Sequence, residues 1–89
     1  MNGAEVTEES VSDTLHTVLA RHLRRLTADV DWTTATLADL GLDSMVAIEL
    51  VLDIEDTYGA EFPEEMLVRE TFASFQSLAA VVKSMVARP

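Results

Sequence analysis

Leu40-Gly41-Leu42-Asp43-Ser44-Met45-Val46-Ala47-Ile48-Glu49-Leu50-Val51-Leu52-Asp53-Ile54-Glu55-Asp56-Thr57-Tyr58-Gly59 is the stretch on which the fold turns. Its apolar residues recur at helical spacing. Val46, Ala47, Leu50, Val51, Ile54 and Tyr58 share one arc of a wheel stepped at about 100° per residue. Met45, Ile48, Glu49, Leu52, Glu55 and Asp56 share the opposite arc. The pattern predicts a helix from Ser44 to about Tyr58, with Asp43 or Ser44 at its N-cap and Gly59 as its stop.

Outward from this segment the chain stays helical. Val11, Leu15, Val18, Leu19, Leu23 and Leu26 form one stripe from which Arg21, Arg24 and Arg25 are excluded. They predict a first helix over about residues 8–25, with Thr7 or Ser10 as candidate caps. Residues 27–43 read as a long loop pinned by Val30, Trp32, Leu37 and Leu40, with Gly41 turning the chain into the next helix. Pro63 opens a short third helix of about residues 64–69. A last helix from about Ser74 to Val86 turns Phe75, Leu78, Ala79, Val82 and Met85 or Val86 inward. The expected fold is all-α: a four-helix bundle with a short third helix and a long loop between the first two helices. Residues 1–10 are expected to be a flexible lead-in and residues 11–87 the domain.

Composition narrows the function classes. The chain has 89 residues, enough for one domain, and 48% are hydrophobic, enough for a compact core. Without cysteine it can hold neither a disulfide nor a thiolate metal site. The acidic, polar start is not a targeting peptide, and no apolar run nears the roughly 20 residues of a spanning helix. The expectation is a soluble, cytoplasmic monomer. A net charge of -10 disfavours nucleic acid and anionic membranes as partners. Between Leu26 and Val68 there are eleven acidic residues and no Lys or Arg, which invites a basic partner.

Ser44 carries the chemical interest. A serine in the first turn of a helix exposes its hydroxyl at the positive end of the macrodipole, where free amides can receive a phosphate. No general base lies near it in sequence, so it is a better anchor than an unaided nucleophile.

The segment Leu40-Gly41-Leu42-Asp43-Ser44-Met45, followed by the acidic and apolar helix to Tyr58, resembles the attachment motif of acyl carrier proteins. The likeness extends over about Leu15 to Val86, including the long loop and Tyr58-Gly59-Ala60-Glu61-Phe62-Pro63. It implies a non-catalytic carrier whose Ser44 is esterified by 4′-phosphopantetheine, with acyl intermediates held as thioesters on that arm. Implied partners are a phosphopantetheinyl transferase and acyl-handling enzymes such as a ketosynthase or acyltransferase. The family most often has Leu where this chain has Met45, a change that keeps apolar bulk and adds flexibility. Asp43 resembles acyl carriers more than peptidyl carriers. Thr71-Phe72-Ala73-Ser74-Phe75-Gln76-Ser77-Leu78-Ala79 looks like carriers of polyketide or related specialised metabolism more than those of fatty acid synthesis.

Partner docking is expected on the outward face of the helix after Ser44. Glu49, Asp53, Glu55 and Asp56 would steer a partner, and Met45, Ile48 and Leu52 would seat it, beside Asp43. Four other readings compete. A serine hydrolase would need a base, and the candidates are His16, read as a solvated surface residue, and His22, read as a boundary residue; the Gly-x-Ser-x-Gly elbow is absent. A calcium loop over residues 53–64 would need glycine where Tyr58 stands. An acidic interaction module without a prosthetic group would share the fold and charge. A peptidyl or aminoacyl carrier would share the motif. The length and initial Met suggest a free-standing carrier.

Overall fold

A computed structural model describes residues 8–87. Helix α1 spans Glu8–His22, α2 spans Ser44–Tyr58 and α3 spans Phe75–Ala87. Two 3₁₀ turns, Glu64–Met66 and Arg69–Phe72, lie between α2 and α3.

The stripe on α1 is buried as its spacing predicts: Val11, Leu15, Val18, Leu19 and Leu23 are all in the core, with Leu26 half-buried beside it. Of the candidate caps, Ser10 lies inside α1 and Thr7 lies outside the described residues. The helix ends at His22 rather than near residue 25. The reason is a competing acceptor: Leu23 N–H still donates to Leu19 O, but Arg25 N–H turns to Leu40 O at 3.0 Å.

The loop of residues 27–43 is held at both ends of its path. Leu37 and Leu40 are buried and Val30 and Trp32 pack against the core. Leu40 and Leu42 N–H both donate to Leu37 O, closing a tight turn. Thr36 forms an isolated antiparallel bridge with Ser74, Leu37 N–H donates to Ala73 O at 3.1 Å, and Gln76 Nε2 donates to Trp32 O at 2.8 Å. The loop is thereby fastened to the start of α3. It turns its backbone polar groups to the protein at several points, which stiffens a segment without regular structure.

A continuous third helix does not form. The expected helix over residues 64–69 is replaced by the two 3₁₀ turns, so the fold is three α-helices with a 3₁₀-rich connection rather than four helices. Val68 takes an extended conformation (φ -131°, ψ 161°) and breaks the helical path. That step brings Thr71 into the core and stacks Phe72 on Phe62, ring centroids 5.7 Å apart. Leu67 and Val68 are left exposed. An aromatic pair at the Phe62–Phe72 spacing adds about 0.5–1.5 kcal/mol beyond the area it buries, which favours the step over a continued helix.

α3 begins with a reciprocal cap. Ser77 N–H donates to Ser74 Oγ and Ser74 N–H donates to Ser77 Oγ, each at 3.1 Å. Phe75, Leu78, Ala79, Val82 and Met85 face inward. No helix among the described residues is long and apolar enough to cross a membrane.

Candidate functional site

Ser44 is the first residue of α2, and the local sequence dictates its exposure. Asp43 stands at the N-cap in an extended conformation (φ -134°, ψ -174°), and its Oδ1 accepts from Val46 N–H at 2.9 Å. Such a cap is worth about 1 kcal/mol. Asp43 O accepts from Ala47 N–H, so the cap residue satisfies two of the first-turn donors. Those of Ser44 and Met45 have no intrahelical acceptor by helix geometry. At the far end Gly59 closes α2 in the left-handed region (φ 62°), its N–H on Glu55 O.

The Ser44 side chain is exposed and, among the described residues, has no hydrogen-bond partner. Ser74 and Ser77 contrast with it. Both are partly buried, and their hydroxyls are used in the cap of α3 and on Thr71 O. Ser44 therefore fits a covalent phosphoester without loss of an existing bond, with open space around it and free amides nearby.

An open groove of about 900 Å³ runs from Ser44 between α2 and residues 67–73. Its walls are mostly apolar: Ala47, Ile48, Val51, Leu52, Leu67 and Phe72. A smaller cleft of about 230 Å³ on the other side is lined by Arg24, Arg25, Gly41, Asp43, Met45 and Glu49. Arg69 lines the groove. The placement of Arg24 and Arg25 beside the first turn of α2, and of Arg69 along the groove, is missed by sequence reading, since it depends on the Arg25–Leu40 backbone bond and on the path from α2 to α3.

The outward face of α2 holds Met45, Ile48 and Leu52, exposed at 72%, 64% and 61%. Glu49 and Asp56 are exposed beside them. The other two carboxylates expected there are engaged inward. Arg21 Nη1 lies 3.1 Å from both Asp53 oxygens, His22 Nε2 lies 2.8 Å from Asp53 Oδ2, and Thr57 Oγ1 donates to Asp53 Oδ1 at 3.0 Å. The His22 hydrogen bond, with those of Arg21 and Thr57, lowers the Asp53 pKa below the usual carboxylate value. Asp53 thus ties α1 to α2. Glu55 Oε2 accepts from Phe62 N–H at 2.9 Å and fixes the chain after α2.

The two histidines are placed by packing. His22 lies at the boundary as expected, on Asp53. His16 is not the solvated surface residue its wheel position predicts: its ring stacks on Phe75, centroids 4.1 Å apart, and lies 4.8 Å from Trp32. Neither is grouped with Ser44. Residues 53–58, the start of the weighed calcium loop, are helical.

Residues 13–82 match the family of the phosphopantetheine attachment site. The chain belongs to the acyl carrier protein family. It is a carrier protein, and carriers of this family hold 4′-phosphopantetheine covalently and are not catalysts. Over 73 residues it is 38% identical to an aminoacyl carrier protein of Agrobacterium fabrum, covering 79% of this chain and 86% of that one. Over 40 residues it is 55% identical to the anthracycline acyl carrier protein DauA of a Streptomyces species, covering 45% of each. Among solved structures it is similar to an Agrobacterium tumefaciens carrier protein complexed with an engineered Bradyrhizobium japonicum glycine:[carrier protein] ligase and ATP. The TM-score is 0.72 and the identity 30%, over 84% of this chain and 99% of that one.

Proposed function

We propose that Ser44 bears the 4′-phosphopantetheine arm and that this carrier presents acyl intermediates to biosynthetic enzymes, in polyketide or related specialised metabolism. The observation that carries the reading is the free, exposed Ser44 hydroxyl at the start of α2, at the mouth of an apolar groove. When bound, the group supplies a terminal thiol on which an acyl chain is held as a thioester. Ser44 Oγ provides the ester oxygen, Asp43 holds the first turn of α2 in place, and the apolar walls of the groove favour a hydrocarbon over a small charged cargo. The likeness to DauA supports a polyketide setting. The likeness to the aminoacyl carrier, over more of the chain, supports the second reading, an aminoacyl cargo. A phosphopantetheinyl transferase would load the arm, and a ketosynthase or acyltransferase would receive the cargo. The enzyme complex of the similar carrier supports docking by enzymes in general.

Incubation with coenzyme A, magnesium and a broad-specificity transferase should add the mass of one phosphopantetheine, mapped to Ser44, and Ser44→Ala should abolish it. Addition at Ser74 or Ser77, or none, would overturn the assignment. Mass spectrometry of the arm ejected from protein made in its own host separates acyl from aminoacyl cargo.

A further inference from the structure

All six Lys and Arg residues lie outside residues 26–68, so the sequence around Ser44 looks purely acidic. The fold brings arginines to this acidic segment. The end of α1 is clasped against the residues just before Ser44: Arg25 N–H donates to Leu40 O at 3.0 Å. Gly41, at φ 110°, sits so close that an added Cβ would stand 3.0 Å from Arg24 N and 3.4 Å from Arg25 N. Arg24 and Arg25 therefore line the cleft on one side of the α2 N-terminus, together with Met45 and Val46. On the other side Arg69, the first residue of the second 3₁₀ turn, lines the groove that Ser44 itself opens into.

The side chains of these arginines form no ion pair among the described residues, where ion pairing centres on Arg21, His22 and Asp53. All three are exposed. In a chain of net charge -10, two arginines in the cleft beside the first turn of α2 and a third along the groove that opens at Ser44 suit an anion held at that turn. The neighbouring carboxylates make the need sharper. Asp43 and Glu49 line the same cleft as Arg24 and Arg25, and an added phosphodiester would bring a further negative charge among them. Guanidinium groups match phosphate oxygens in charge and in donor geometry.

We propose that Arg24 and Arg25 from one side and Arg69 from the other form a cationic frame for the phosphodiester on Ser44. The frame holds the root of the arm at the mouth of the groove and offsets the charge of Asp43 and Glu49. It rests on Ser44 being the attachment residue.

The test starts from protein whose loading at Ser44 has been confirmed by mass, so failure to load counts against the attachment site and not against the frame. The Nε–Hε signals of Arg24, Arg25 and Arg69 are compared by NMR in the unloaded and loaded protein, along with the phosphorus resonance of the arm. Loading should shift the arginine signals on both sides. In Arg24→Gln/Arg25→Gln and in Arg69→Gln the phosphorus resonance should move toward that of the same phosphodiester in the loaded protein unfolded by urea. The ratio of held to free arm should fall about 1.5- to 5-fold, the range of exposed ion pairs. In about 1 M salt, where the Debye length is about 3 Å, loaded parent and variants should converge. Circular dichroism checks that the variants remain folded. Arginine signals unmoved by loading, or a phosphorus resonance identical in parent and variants, would overturn the frame. Shifts on one side only would overturn its two-sided form.

Discussion

His16 packs in a three-ring cluster, 4.1 Å from Phe75 and 4.8 Å from Trp32, which lie 5.3 Å from each other, and its Nε2 is buried with no hydrogen-bond partner among the described residues. Burial lowers its pKa below the ordinary 6.5, against the opposing attraction of Asp13. The folded protein therefore protonates His16 less readily than the unfolded chain does. The stability tied to the neutral ring is fully present above pH 6.5 and is lost as pH falls through the lowered folded value. An NMR titration of the His16 ring should give a midpoint below 6.5. His16→Phe, which keeps the stack, should flatten the fall in melting temperature below that pH. A midpoint at or above 6.5 would contradict the burial argument. The wheel of α1 puts His16 off the apolar stripe, and within one helix that is correct. The rings that cover it come from residues 16 and 59 positions further along, and no local period carries that information.

At the scale of the element, α2 was the most legible part of the chain because its cap, two faces and stop are all local. Asp43 and Gly59 are where the pattern puts them, and Leu50 and Ile54 are buried. The segment after it was less legible. Pro63 and the acidic pair Glu64 and Glu65 do start a turn, but the extended step at Val68 goes with the burial of Thr71 and the stacking of Phe72 on Phe62, contacts remote from the local pattern. Likewise the wheel assigns Asp53 and Glu55 no particular partner, whereas α1 supplies Arg21 and His22 to the first and the chain after Gly59 supplies the Phe62 amide to the second. The acids left free beside the exposed Met45, Ile48 and Leu52 are Glu49 and Asp56. If this face docks partner enzymes, charge and apolar contact should separate kinetically. Glu49→Lys should slow association, with the defect shrinking in high salt, because steering acts over a Debye length. Leu52→Ala should speed dissociation with little change in salt dependence. Stopped-flow binding to a cognate partner distinguishes the two, and parent-like behaviour of both folded variants would exclude the face.

The whole molecule carries its charge as a standing load. Sixteen acidic residues face six Lys and Arg, and eleven of the acids lie in the base-free stretch between Leu26 and Val68. The fold relieves part of this by bringing Arg21 and His22 to Asp53, and by setting Arg24 and Arg25 beside the start of α2 and Arg69 along the groove next to that helix. Many carboxylates, among them Asp39, Glu49, Asp56, Glu61, Glu64 and Glu65, remain exposed. Their mutual repulsion is greater in the compact state than in the unfolded chain, where the same charges stand further apart. Screening should therefore favour the fold. Raising ionic strength from about 0.01 M to 0.15 M shortens the Debye length from about 30 Å to about 8 Å, less than the width of a small domain. A gain of about 1 kcal/mol from that screening would raise the melting temperature by about 4–8 °C in a domain of this size. Magnesium should achieve the same at lower concentration, because a divalent ion screens more strongly per mole. The surface pair of Arg21 with Asp53 works in the opposite direction, since salt weakens it, but an exposed pair contributes only about 0.2–1 kcal/mol and is outnumbered by the unpaired acids. Thermal unfolding followed by circular dichroism at neutral pH across a salt series measures the balance. A melting temperature that stays level or falls as salt is added would mean that the attractive pairs outweigh the repulsion.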